Sequence, residues 1–106
     1  MKMIEAIVRH FRQVEIIDNL TQIGVEGATI TELRRTIDVD PDSGADPLQA
    51  MVKIEICVPD GLAPVVIEAI YRSAGAGRAD DGLIVSFAVE RVVRIRTGEE
   101  GESSVV

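Results

Sequence analysis

The chain has 106 residues, of which 46% are hydrophobic and 3% aromatic, and it carries 11 basic against 18 acidic side chains for a formal charge of −7. That balance excludes a general nucleic-acid binder, which needs a basic surface to release phosphate counterions, and a protein held to anionic lipid by charge. The apolar fraction excludes disorder by composition, and the length fits one domain with an aliphatic core. One cysteine, Cys57, forms no internal disulfide and fits a reducing compartment. No apolar run reaches membrane-spanning length, and Glu5 interrupts the apolar start that a signal peptide would need, so a cytoplasmic protein without membrane insertion is expected.

Residues 3–9 read as a strand, with Ile4, Ala6 and Val8 on one face and Glu5, Ile7 and Arg9 on the other. From Phe11 to Ile23 the apolar period becomes helical, with Val14, Ile17, Leu20 and Ile23 as the stripe and Gly24 as the C-terminal cap. Residues 28–33 read as a second strand. Residues 34–50 hold four Asp, two Pro and one Gly without a clear period, and a loop of that length in a small domain is usually functional. Residues 51–58 are the clearest strand, with Val52, Ile54, Ile56 and Val58 on one face. Asp60 is the expected N-cap of a second helix with a stripe of Leu62, Val65, Val66, Ala69 and Ile70. A glycine-rich loop over 73–82, a last strand region over 83–96 and a frayed tail over 98–106 complete the chain.

The order β-α-β, loop, β-α-β predicts a ferredoxin-like βαββαβ fold, an α+β arrangement with a four-stranded antiparallel sheet and both helices on one face. The other face carries Glu5, Ile7, Arg9, Thr29, Thr31, Lys53 and Glu55. That mixture suits a self-association surface with polar clefts.

The candidate chemistry is sparse. Asp38-x-Asp40-x-Asp42-x-Gly44 lacks the sixth-position glycine and twelfth-position glutamate of an EF-hand, so an acidic solvated loop is expected rather than a calcium site. Gly75-Ala76-Gly77 with Gly82 follows a helix and opens a strand, the reverse of a dinucleotide fingerprint. Arg94 and Arg96 lie two apart, and on a strand they would point the same way, either at an anion or at carboxylates. His10, the single histidine, supports no metal site and reads as a surface or helix-start residue. No nucleophile–base–orienter set is visible, so no catalytic residue is assigned.

Residues 1–9 (Met-Lys-Met-Ile-Glu-Ala-Ile-Val-Arg), Thr29-Ile30-Thr31-Glu32, the run from Val52 to Asp60, Asp81-Gly82-x-Ile84 and above all Val93-Arg94-Ile95-Arg96-Thr97-Gly98-Glu99 resemble the PII signal-transduction family. The resemblance covers nearly the whole chain outside 34–50. It implies a ferredoxin-like homotrimer that regulates other proteins and binds adenine nucleotide in clefts between subunits. It places Ile7, Gly27, Ala28 and Thr29 on the adenine side with Glu55 and Cys57 nearby. Asp81 and Gly82 fall in the phosphate-facing loop, and Arg94 and Arg96 reach the phosphates. It also makes 34–50 the T-loop, a partner-binding segment with Arg34, Arg35, Asp38, Asp40, Asp42 and Asp46 that docks on a membrane transporter or metabolic enzyme.

The departures shape the ligand. The family has lysines where Met51 and Leu83 stand, and glycines where Arg35, Ile37 and Asp80 stand. Its T-loop is longer and carries a glutamine, absent here, that helps hold Mg-ATP with 2-oxoglutarate. The T-loop tyrosine that some members modify is also absent. Removing lysines from a polyphosphate site predicts that ADP or AMP is favoured, that ATP binds weakly and that 2-oxoglutarate is not a ligand. A small anion such as bicarbonate, as in PII-like branches tied to inorganic-carbon uptake and carboxysomes, is the alternative second effector. A trimeric interaction module that has lost nucleotide binding is the alternative function.

Overall fold

The computed structural model describes residues 1–25, 27–75, 77 and 82–101. It contains β1 (Lys2–Arg9), a 3-10 turn (His10–Arg12), α1 (Gln13–Gln22), β2 (Thr29–Thr36), β3 (Leu48–Val58), a second 3-10 turn (Asp60–Leu62), α2 (Ala63–Ala74) and β4 (Gly82–Ala88). The four strands form one antiparallel sheet in the order β2-β3-β1-β4. This is the expected ferredoxin-like α+β fold.

The even-numbered side chains of β1 and β3 explain the layer arrangement. Ile4, Ala6 and Val8 oppose Ile56, Ile54 and Val52, and all are buried in one cluster with Ile16, Leu20, Val66 and Ile70 from the helices. Strand alternation puts these residues on one face, so both helices cover that face and the other stays open. Among the described residues Ser73 is the buried polar exception. Its hydroxyl donates to the Ala69 carbonyl at 2.7 Å and accepts from Asn19 Nδ2 at 2.5 Å, which ties α1 to α2.

The end of α1 follows the expected chemistry. Gly24 has φ +91°, its N–H bonds the Thr21 carbonyl, and the Val25 N–H reaches back to the Leu20 carbonyl. Both bonds of the Schellman motif are present, and Val25 and Leu20 bury together beside it.

Several expectations are corrected. Both helix stripes are out of phase in part, since Val14 and Val65 face solvent while Ile16, Ala63 and Ala74 are buried. Asp60 makes no capping hydrogen bond. Its carboxylate instead meets the N-terminal amine at 2.8 Å, and that hydrogen bond and charge hold its pKa below the usual carboxylate range. Helix α2 continues through Ala74, so the glycine-rich connection starts at Gly75 rather than at residue 73.

The loop over 34–50 is shorter than its composition suggests. The β2–β3 ladder continues through Arg34↔Ala50, Arg35↔Gln49 and Thr36↔Leu48, so Arg34 and Arg35 are strand residues. Once the apolar lower half fixes the register, each further residue adds ladder bonds whatever its side chain, because both faces there reach water. The remaining loop, 37–47, is closed at its base by the Ile37 N–H on the Pro47 carbonyl at 2.8 Å. At its tip the Asp42 N–H bonds Asp40 Oδ1 and the Ser43 N–H bonds the Asp40 carbonyl, an Asx turn that uses one of the acidic side chains internally.

The last strand region also ends early. β4 stops at Ala88 opposite Lys2, the first residue of β1, and the Val89 N–H carries the pairing one step further, to the Met1 carbonyl at 3.1 Å, before the chain turns on itself. Beyond it, Val93 bridges Glu100, the Arg94 N–H bonds the Glu99 carbonyl and the Gly98 N–H bonds the Arg94 carbonyl, with Gly98 at φ +74°. Arg94 and Arg96 therefore sit in a tight turn and not side by side on a strand.

Candidate functional site

The open face of the sheet carries the mixed polar and apolar set expected from strand alternation. Three rows cross it. Leu83, Ile7, Lys53 and Thr31 form the first, Val85, Glu5, Glu55 and Thr29 the second, and Phe87, Met3 and Cys57 the third. Antiparallel pairing sets these neighbours about 5 Å apart, within direct side-chain contact. The apolar members are only partly covered, and Val85 and Phe87 are nearly half exposed.

Glu5 stands opposite Glu55, and like charges in that position repel. Lys53 relieves one side of the pair, with Nζ 3.6 Å from Glu55 Oε1. Glu5 makes no ion pair among the described residues. This like-charged pair was missed in the sequence because it appears only once the register of β1 on β3 is known.

Of the expected binding residues, Ile7, Thr29, Glu55 and Cys57 share this face, with Gly27 and Ala28 leading into β2 at its margin. Gly82 opens β4 opposite Val8, beside Ile7. A cleft of about 600 Å³ lies behind it, between the end of α2 and the start of β4, lined by Val8, Tyr71, Arg72, Gly75 and Leu83 among others. Asp80 and Asp81 lie outside the described residues. Arg94 and Arg96, both exposed, occupy the separate turn beyond β4. The acidic residues Asp38, Asp40, Asp42 and Asp46 are together in the 37–47 loop, whereas Arg34 and Arg35 lie below it on β2. Among the described residues no group of three or more His, Cys, Asp or Glu is placed to hold a metal, and no helix is long and apolar enough to cross a membrane.

Burial pushes the Cys57 thiol above its ordinary pKa, against a smaller opposing pull from the N-terminal amine. The folded state therefore holds this proton more tightly than the unfolded chain does. Its contribution to stability is whole below the unfolded thiol's pKa and falls as pH rises through the folded one. Iodoacetamide is expected to label Cys57 slowly at neutral pH in the native protein and faster after unfolding in urea, because the thiolate is the reacting form. Equal native and unfolded rates would contradict this assignment.

These features define a ferredoxin-like α+β scaffold with one sheet face covered by both helices and the other open. Comparison with known proteins narrows the class. The family model described as nitrogen regulatory protein P-II matches residues 1–99. The chain is 39% identical to nitrogen regulatory protein P-II of Haemophilus influenzae, 37% identical to nitrogen regulatory protein P-II 1 of Escherichia coli and 38% identical to nitrogen regulatory protein P-II of Rhodospirillum rubrum. Each alignment covers 99% of this chain and 100% of the relative. The chain belongs to the P-II family.

Proposed function

We propose that this chain is a non-catalytic regulatory protein of nitrogen signalling that works as a cytoplasmic homotrimer. Open sheet faces associate, adenine nucleotide binds in the clefts between subunits, and the 37–47 loop carries the signal to a membrane transporter or metabolic enzyme. The observation that carries this reading is the family match through residue 99, which spans the open face, Gly82 and the Arg94–Glu99 turn together.

The open face is chemically suited to that role. Ile7 offers an apolar contact for a purine ring, Thr29 and Glu55 offer hydrogen-bonding groups one row away, and Gly82 lines the neighbouring cleft. Arg94 and Arg96 supply the guanidinium groups that suit phosphate oxygens, and in a trimer they come to the site from their own turn. AMP or ADP is the favoured ligand. Met51 and Leu83 stand where the family carries lysines, and Met51 is 2% exposed and apolar. Each lost charge-assisted bond removes about 1.5–3 kcal/mol, tenfold or more in affinity. The same loss disfavours 2-oxoglutarate and leaves a small anion such as bicarbonate as the class of second effector.

Titration calorimetry with AMP, ADP and ATP tests this. AMP or ADP is expected to bind at least tenfold more tightly than ATP, with Arg96→Ala weakening both. The absence of heat from all three nucleotides at millimolar concentration would favour a second reading, a trimeric interaction module without nucleotide. The apolar residues at the two lysine positions support that reading.

A further inference from the structure

On the helix-facing side of the sheet, where β2 and β3 extend past the helical layer, a cleft of about 490 Å³ opens beneath the first 3-10 turn. Its polar lining is His10, Gln13, Glu32 and Arg34, and Ala50 and Val52 contribute apolar surface. Glu32 and Arg34 occupy the same register set as Ile30, which pairs with the buried Ile54. Strand alternation therefore turns both charged residues toward the side that is core elsewhere. Two positions on one strand are about 7 Å apart, close enough for an ion pair between long side chains. Yet the two are not bonded to each other, and neither forms an ion pair or side-chain hydrogen bond among the described residues.

Opposite charges held side by side and unpaired, over an apolar floor, match a ligand that carries both signs. A simple anion would satisfy Arg34 and leave Glu32 facing it. An amine would do the reverse. We propose that this cleft binds a small zwitterionic amino acid. The α-carboxylate lies on Arg34 with help from His10, the α-ammonium lies on Glu32 with help from Gln13, and an apolar side chain lies against Ala50 and Val52. The site sits on the opposite side of the sheet from the open face and at the root of the 37–47 loop. It does not depend on the nucleotide reading.

Amide proton–nitrogen correlation spectra of the full chain provide the test, with three probes of one carbon skeleton: L-leucine, isocaproate without the ammonium, and isoamylamine without the carboxylate. Leucine at millimolar concentration is expected to shift the amides of residues 32–34 and 50–52 saturably, with each truncated probe bound about tenfold more weakly. Glu32→Gln is expected to make leucine bind like isocaproate, and Arg34→Gln to make it bind like isoamylamine. Both side chains are exposed, so both variants are expected to melt with the unaltered protein. Leucine and isocaproate binding equally well to the unaltered chain, or no shift at these amides, would overturn the proposal. AMP titrated into the same sample reads the open face separately, so failure of one site is distinguishable from failure of the other.

Discussion

Gly82→Ala is expected to destabilise the protein by about 2–6 kcal/mol. Two costs combine. Gly82 has φ +113°, a conformation L-residues rarely adopt, at about 1–3 kcal/mol. A Cβ there would stand 1.8 Å from the Ile7 carbonyl oxygen, 2.9 Å from Ile7 C and 3.3 Å from Val8 Cα. All three atoms are backbone of β1, which is held on both sides by β3 and β4 and cannot yield as a side chain would. Overpacking of this kind adds about 1–3 kcal/mol. Gly44→Ala is the matched control, with φ +73° and nothing within 4 Å of the added atom, and only the conformational cost is expected there. Urea unfolding of both variants separates the terms. A Gly82→Ala protein no less stable than the Gly44→Ala protein would show that the close approach to β1 does not exist in solution. The comparison also guards the functional reading, because lost nucleotide binding in Gly82→Ala reports on the site only after the stability loss is known.

The parts of the fold legible in the sequence are those decided by neighbours in the chain. Val52, Ile54, Ile56 and Val58 alternate with more polar residues, and all four are buried. The Gly24 cap is equally local. Where the outcome depends on a distant partner, composition misleads in both directions. The segment 34–36 looks like loop, yet it becomes strand because β3 continues opposite it. The segment 89–96 is rich in β-branched residues, yet it is not strand because β1 has ended, and Ile95 is left 100% exposed. The candidate site divides the same way. Alternation alone places Ile7, Thr29, Glu55 and Cys57 on one face. The opposition of Glu5 to Glu55, the turn that separates Arg94 from Arg96 and the helix-side placement of Glu32 and Arg34 all require the register or the chain's return path.

The helix phase is the sharpest of these differences, and it yields the second large prediction. Ile16→Ala is expected to cost about 2–5 kcal/mol, while Val14→Ala stays within about 0.5 kcal/mol of the unaltered protein. Stepping back from Leu20 in threes selects Ile17 and Val14, and each step loses about 60° because a turn holds 3.6 residues. Val14 therefore lies about 120° away from Leu20 around the helix, whereas Ile16 lies about 40° away. The 3-10 turn at His10–Arg12 delivers the chain to Gln13 so that Ile16, not Val14, meets the sheet. Ile16 is 0% exposed in the cluster with Ile4, Ile54 and Ile70, and Val14 is 71% exposed. Removing three buried carbons from Ile16 forfeits transfer free energy and leaves a cavity in a close-packed layer. Alanine at Val14 removes little buried surface and gains helix propensity, so a small stabilisation there is in line with the assignment. Thermal melts at one fixed protein concentration, which matters if the chains associate, read each kcal/mol as roughly 4–8 °C. A larger shift for Val14→Ala than for Ile16→Ala would mean that α1 is rotated about its axis, and the core contacts that hold the helical layer on the sheet would have to be redrawn.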